Sequence, residues 1–302
     1  MTLRALNDFD LCRLLDDDTA GGDLTTDSLA IGHQPARLEF RARLAMTVCA
    51  SEEAQRLFEL AGAQARLRLH SGAHAKAGAL ILEATGSAAS LHHAWKTAQT
   101  LVEWASGIAS ATAAIVAAAG GVAVACTRKN VPGTKALSIK AVKSGGAIMH
   151  RLGLSETLLL FAEHRLFLDA SPAQIIIELR RVQPEKKIVV EVGDPREARL
   201  WVEAGADVLQ LEKFTPQAVA LCREMLEGMP ATSRPLLAAA GGIRADNAAA
   251  YVAAGAHLLV TSAPYTAAPQ DVQVNFFLAS QAPWRAVMID TDFEILGQTA
   301  TR

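Results

Sequence analysis

Cysteine is scarce in this 302-residue chain: Cys12, Cys49, Cys126 and Cys222 are widely spaced and form no Cys-x-x-Cys pair. That argues against a disulfide framework and against a zinc site. Aromatic residues make up only 5% of the chain against 51% hydrophobic residues. Ala, Leu and Val must therefore do most of the packing, as in α/β proteins whose small-residue helices lie on strands. No apolar run is expected to reach the roughly 18 residues of a membrane-spanning helix. The N-terminus, Met-Thr-Leu-Arg-Ala-Leu-Asn-Asp-Phe-Asp, lacks a signal-peptide core, so a cytoplasmic protein away from the membrane is expected. A formal net charge of -2 argues against general nucleic-acid binding. A Gly-x-Gly-x-x-Gly fingerprint after the first strand of the βα repeats is also missing, which weakens the case for a doubly wound dinucleotide binder.

The most informative absence is local. From Trp104 to Ser155 there is no Asp or Glu, while Arg128, Lys129, Lys135, Lys140, Lys143, His150 and Arg151 all fall inside that stretch. A solvated helix face mixes signs, because opposite charges one turn apart stabilise each other. A one-sign cluster interrupted by Pro132-Gly133 and Gly145-Gly146 is suited to holding a small anion.

Two rhythms divide the chain. Period-two spacing at Arg37–Arg43 and Arg66–His70, with the apolar run Ala79–Leu82, predicts a small sheet with one solvated face. Ser51–Ala61 reads as a helix capped by Ser51. Leu91–Ala119 reads as helical, interrupted at Ser106-Gly107-Ile108. Short apolar strands then alternate with helices: Val122–Cys126, Lys187–Val192, Asp207–Glu212, Pro235–Ala239 and His257–Thr261. The intervening helices are expected at 195–204, 216–226 and 244–253. Repeated units of this size make a parallel sheet, and polar residues at the strand ends favour a barrel over a doubly wound sheet.

Those strand ends supply the candidate site. Arg128 and Lys129 follow a buried strand and offer a bidentate fork and a point charge for phosphate or carboxylate. His150 and Arg151 follow paired glycines that allow backbone to approach a ligand. Lys140 is a further candidate one helical turn before Lys143, which reads as solubilising. Glu191 and Glu212 end consecutive strands, where carboxylates serve ribose hydroxyls or Mg²⁺ beside a diphosphate. Gly241-Gly242-Ile243 opens the helix expected over 244–253 and presents amides to a phosphate. Ser262 sits in a rim loop of unassigned role, and His92-His93 reads as structural. Phosphoribosyl transfer suits such a set, since it needs reactants positioned and charge stabilised and requires no Ser/His/Asp nucleophile system.

The same residues resemble the quinolinate phosphoribosyltransferases, or nicotinate-nucleotide pyrophosphorylases. The likeness runs from Gly22-Asp23-Leu24-Thr25-Thr26 through Ser106–Ala109, Thr127–Lys129, Lys140–Val142, Gly145-Gly146 and His150–Leu154 to Glu191-Val192, Ala204–Asp207 and Gly241–Ile243. Thr127–Gly133, Phe161–His164 and Val260–Tyr265 are most similar to the branch encoded beside molybdate-transport genes. The resemblance implies a type II phosphoribosyltransferase-like fold. An N-terminal α/β sandwich (1–105, joined by 276–302) would precede an open, incomplete α/β barrel (106–275), in a homodimer that shares its sites. It implies phosphoribosyl pyrophosphate, Mg²⁺ and a carboxylated acceptor as ligands. Arg128, His150 and Arg151 would meet the acceptor. Lys129, Glu191, Glu212 and Gly241-Gly242 would meet the diphosphate sugar and the metal. Lys96 would stand where the family supplies an arginine across the dimer interface. Phe161 replaces a site lysine, Glu212 an aspartate and Ala240 a serine, so quinolinate is not the expected acceptor. Genuine quinolinate turnover and non-catalytic oxyanion binding stay open as alternatives.

Overall fold

Alternation builds the first domain. In a computed structural model that describes residues 4–279, helices α1 (Asp8–Thr19) and α2 (Leu24–Ser28) lead into strand β1 (Pro35–Ala42). One face of β1 buries Leu38, Phe40 and Ala42. On its other face Glu39 pairs with Arg37 at 2.7 Å and Arg41 at 2.8 Å. After β2 (Met46–Thr47) come α3 (Ser51–Leu60), β3 (Gln64–Leu67), β4 (His74–Ala75) and β5 (Leu80–Ser87). Strands β2 and β4 form a small antiparallel pair.

A 31-residue helix, α4 (Ala88–Ala118), then joins the two halves of the molecule. Its Ala94, Ala98 and Val102 pack into the N-terminal core, and its Ala105, Ile108, Ala109 and Ile115 into the second core. Ser106 and Ser110 accept hydrogen bonds from the backbone amides of Cys49 and Thr47, both at 2.9 Å. The expected interruption at Ser106-Gly107-Ile108 is absent. Gly107 is instead a contact site, where a Cβ would stand 2.4 Å from the Ala268 carbonyl oxygen. Contrary to the sequence expectation, α4 is long and apolar enough to cross a bilayer. Ala94, Ala98, Ala105 and Ala109 along it are buried in the two cores, whereas Ala114 and Ala117 are exposed.

The second domain is a parallel sheet wound with helices. In chain order it runs β6 (Ala123–Cys126), α5 (Lys135–Ser144), β7 (Ile148–Met149), β8 (Leu158–Leu160), α6 (Ala162–Arg165), α7 (Pro172–Val182), β9 (Ile188–Val192) and α8 (Pro195–Ala204). It continues through β10 (Val208–Glu212), α9 (Pro216–Glu227), β11 (Leu236–Ala240), α10 (Ala248–Ala253) and β12 (Leu258–Thr261). The seven strands lie in the order β7-β6-β12-β11-β10-β9-β8. They curl into an open half-barrel, with β7 and β8 at its unjoined edges. Leu159, Val189, Val208, Ala238, Ala240 and Val260 cluster on the inner face, while Val190, Leu209, Leu211 and Leu259 join the core shared with the helices. Strand β13 (Val272–Leu278) returns to pair antiparallel with β1, giving the order β13-β1-β5-β3. The return thus begins before residue 276, and residues 280–302 lie outside the described residues.

Three local expectations are corrected. Ser51 is the first helical residue, not the cap. Ala50 takes that place at φ 63° without a side-chain bond. Helix α10 starts only at Ala248, so the Gly241-Gly242 turn is separated from it by a non-helical stretch. Lys140 lies away from the anion site. It is 9% exposed, and its Nζ pairs with Glu52 at 2.9 Å and Glu53 at 2.6 Å, tying α5 to α3.

That clamp has a clear pH signature. Burial raises the Glu52 carboxyl, but hydrogen bonds from Ser71 and Lys140 outweigh it and hold the group at about 2, against an ordinary 4.5. A carboxylate depressed by folding stabilises the native state fully above its unfolded pKa and loses that contribution as pH falls through the folded one. Stability measured by denaturant unfolding should therefore decline between pH 4.5 and 2. Lys140→Met, which leaves two buried carboxylates facing each other, is expected to cost about 3–5 kcal/mol at neutral pH.

Candidate active site

All seven strands point their carboxyl ends toward one cleft of about 440 Å³, within the usual size of small-molecule sites. Strand order decides which charge goes where. Arg128 and Lys129 follow β6, and His150 and Arg151 follow β7, so one edge of the half-barrel forms a cationic wall. Glu163 follows β8, Glu191 lies on β9 and Glu212 ends β10, so the opposite edge carries carboxylates. Between the walls sit Ala240, Gly241 and Gly242 at the end of β11, and Val260, Thr261 and Ser262 around the end of β12.

The cationic loop is tied down from below. The Thr127 amide donates to the Thr261 carbonyl at 2.9 Å, and the Tyr265 hydroxyl donates to the Thr127 carbonyl at 2.8 Å. The His150 amide donates to the Cys126 carbonyl at 2.8 Å, which brings the two cationic segments side by side. Arg128 and Lys129 remain exposed, whereas Arg151 is only 6% exposed. Burial, with the Arg151 charge beside it, pulls the His150 imidazole below its ordinary 6.5, favouring the uncharged ring. Burial and the Arg128 charge likewise lower Arg151.

The Arg151 guanidinium lies over the Phe161 ring at 5.5 Å from its centroid. Since β7 and β8 are the free edges of the sheet, this cation–π contact bridges the barrel's open seam. Phe161 also stacks on His164, with centroids 5.5 Å apart and planes 19° apart. The segment is latched to β9 by Arg165, which donates to the Glu191 carbonyl at 3.0 Å and pairs with Glu197 at 2.7 Å.

On the acidic wall, Gln210 on β10 sits beside Glu191 on β9. It donates through Nε2 to Glu191 Oε2 at 2.7 Å, while its own Oε1 is buried without a partner. Burial and then the Glu212 charge raise the Glu191 carboxyl. Gly241 is required twice over. Its φ is +84°, and a Cβ would stand 2.7 Å from Lys213 Cγ and 3.0 Å from Glu212 Oε1.

The cleft thus gathers Arg128, Lys129, His150, Arg151, Phe161, Glu191, Glu212, Gly241, Gly242 and Ser262. Lys140 is excluded by its ion pair, and Lys96 does not line the cleft. Lys96 is exposed on α4, with its Nζ 4.2 Å from the Trp95 ring centroid. Sequence reasoning missed Thr127, Leu159, Glu163, Gln210, Val260 and Thr261 as lining residues. Gln210 could have been found as the one polar residue between apolar neighbours in Val208-Leu209-Gln210-Leu211.

The family model "Quinolinate phosphoribosyl transferase, C-terminal domain" matches residues 108–275, and its N-terminal counterpart matches 23–106. This chain belongs to the quinolinate phosphoribosyltransferase family. Among curated relatives, the "Putative pyrophosphorylase ModD" of Rhodobacter capsulatus is 51% identical over 250 residues, covering 81% of this chain and 95% of that protein. A "Probable nicotinate-nucleotide pyrophosphorylase [carboxylating]" of Methanocaldococcus jannaschii is 30% identical, covering 80% of this chain and 86% of that one. The fold is shared with NadC from Streptococcus pyogenes at a TM-score of 0.79 and 24% identity, covering 91% of this chain and 99% of that one. The family's enzymes are pentosyltransferases of the nicotinate-nucleotide pyrophosphorylase type, and this chain is an enzyme of that kind. In NMR titration the His150 ring should change charge below pH 6.5. In Arg151→Met its midpoint should move upward, because one of the two causes of its depression is gone.

Proposed function

We propose that this cleft transfers phosphoribose from phosphoribosyl pyrophosphate to a carboxylated heterocycle other than quinolinate. One observation carries the reading: a single cleft is divided into a cationic wall and a carboxylate wall on either side of a glycine turn. Lys129 and the Gly241-Gly242 amides are assigned to the diphosphate. Arg128, His150 and Arg151 hold the carboxylated acceptor, and Glu191 and Glu212 face the ribose. A ring nitrogen of the acceptor supplies its lone pair to C1′ as the bond from C1′ to the diphosphate oxygen breaks. The bonding pair leaves with pyrophosphate. The protein's part is to align these atoms and to stabilise the charge that develops on the sugar and the leaving group.

Two carboxylates suit Mg²⁺, which takes one or two from a protein and completes its shell with phosphate oxygens and water. The raised Glu191 carboxyl beside Glu212 is an arrangement that a bound cation relieves. No group of three or more His, Cys, Asp or Glu side chains that could hold a metal occurs among the described residues, so substrate phosphates must complete the site. Bound Mg²⁺ would supply charge neutralisation on the diphosphate.

Lys96 enters this reading from a second copy of the chain, in a homodimer that completes each site. The likeness to ModD carries the further suggestion of a role in molybdenum metabolism, in the cytoplasm. With Mg²⁺, phosphoribosyl pyrophosphate and a panel of heterocyclic acids, the enzyme should release pyrophosphate. Efficient turnover of quinolinate would remove the altered-acceptor claim, and no release with any acid would remove the transferase claim. Lys129→Ala should weaken phosphoribosyl pyrophosphate binding at least tenfold by calorimetry, from loss of a charged hydrogen bond of about 1.5–3 kcal/mol. Lys96→Ala should lower acceptor affinity although the residue lies outside its own chain's cleft. Sedimentation as a monomer would contradict that assignment.

A further inference from the structure

Among the residues lining the cleft, the acidic wall offers a ligand acceptors and a ring face, but no cation. Phe161 presents an aromatic surface already engaged by Arg151 and His164. Glu163 adds a carboxylate at the rim. Gln210 Nε2 spends one of its two N–H groups on Glu191, and the amide oxygen is the buried, unpartnered atom of that side chain. The Arg165 guanidinium turns away to the Glu191 carbonyl and to Glu197. Every positively charged residue lining the cleft follows β6 or β7 on the other side, with Arg151 reaching across the seam to the Phe161 ring.

Resting on the transferase reading above, we infer that the acceptor is a heteroaromatic monocarboxylate carrying a hydrogen-bond donor, such as a ring amino group, and not a dicarboxylate. Its single carboxylate pairs with Arg128 and Arg151. Its donor edge turns toward Phe161, Glu163 and the Gln210 carbonyl oxygen. A second carboxylate on that edge would meet Glu163 and an amide oxygen, both of which repel it, while the Arg151 guanidinium over Phe161 is already taken by the first carboxylate, so it would lose hydration without gaining a cation of its own. A donor there would satisfy the buried Gln210 oxygen, and a site built around an acceptor discriminates strongly against ligands that leave it unpaired. Glu163 is exposed and so screened by solvent. The buried Gln210 oxygen and the Phe161 face therefore carry more of the selection.

The test measures acid binding directly, so it does not depend on turnover. The probes are pyridine-3-carboxylate, its 2-amino and 6-amino derivatives, and pyridine-2,3-dicarboxylate, titrated calorimetrically into the full-length enzyme. At least one amino derivative should bind ten times more tightly than the dicarboxylate. In Phe161→Lys that ratio should fall at least tenfold, because a cation is placed on the wall. Gln210→Met should reduce the advantage of the amino derivative over the unsubstituted acid, with the unfolding temperature of each variant confirming an intact fold. Equal or tighter binding of the dicarboxylate to the wild type, no binding of either amino derivative, or a ratio indifferent to Phe161→Lys overturns the inference. Phosphoribosyl pyrophosphate binding is measured separately. Its absence would sink the transferase reading while leaving the ranking of acids legible.

Discussion

The order of seven parallel strands is the constraint on which the rest of this molecule depends. Side chains at the carboxyl ends of a parallel sheet face one opening, and here the sheet stops short of closing. Cations sit on the strands at one free edge and carboxylates on those at the other. Had the barrel closed, β7 and β8 would be bonded neighbours, and Arg151 and the acidic wall would adjoin through backbone. Instead a gap separates them, spanned by the Arg151 guanidinium and the Phe161 ring. Charge separation across the cleft is therefore a property of topology, which single side chains adjust but do not create.

The N-terminal domain contributes through buried polar contacts. Lys140 reaches from the helix that follows the cationic loop to two carboxylates on α3. Glu52 and Glu53 are themselves held by Ser71 and by the Ala5 amide. The loop carrying Arg128 and Lys129 is thereby anchored at both ends. At one end the Thr127 amide joins β12, and at the other α5 is clamped to α3. Buried ion pairs of this kind contribute little net stability but are costly to break. Their value here is fixed geometry between two domains.

Much of the site was legible in the sequence because strand ends are legible. Val122–Cys126 and Asp207–Glu212 announce themselves by apolar runs that stop at charge, so Arg128, Lys129 and Glu212 followed directly. Gly241 was legible as a turn, although its reason, crowding by Lys213 and Glu212, is tertiary. Lys140 was misread because its partners lie 88 and 87 residues away in sequence, and no local pattern distinguishes a clamped lysine from a ligand-binding one. Glu163 was missed because it lies in a short helix whose orientation depends on Arg165 reaching Glu197 on another unit. Ser51 failed as a cap because Ala50 adopts a left-handed backbone, and a serine beside a helix start gives no sign of that. For Lys140 and Glu163 the deciding contact crosses between elements, whereas for Ser51 it is a local backbone conformation.

The two family models meet near residue 107, in the middle of an unbroken helix. Gly107 there lies against the backbone of Ala268, on the segment that leads into β13 and back to the N-terminal sheet. The chain crosses between the domains twice, and both crossings touch at this glycine. The division drawn by sequence similarity is thus crossed in the folded molecule by one continuous helix and one returning strand. Severing the chain there would split one apolar helix between two cores and strip β1 of a partner strand. Loosening either domain is expected to expose apolar surface of the other along α4 and β13, which couples the stability of the cleft to that of the sheet behind it.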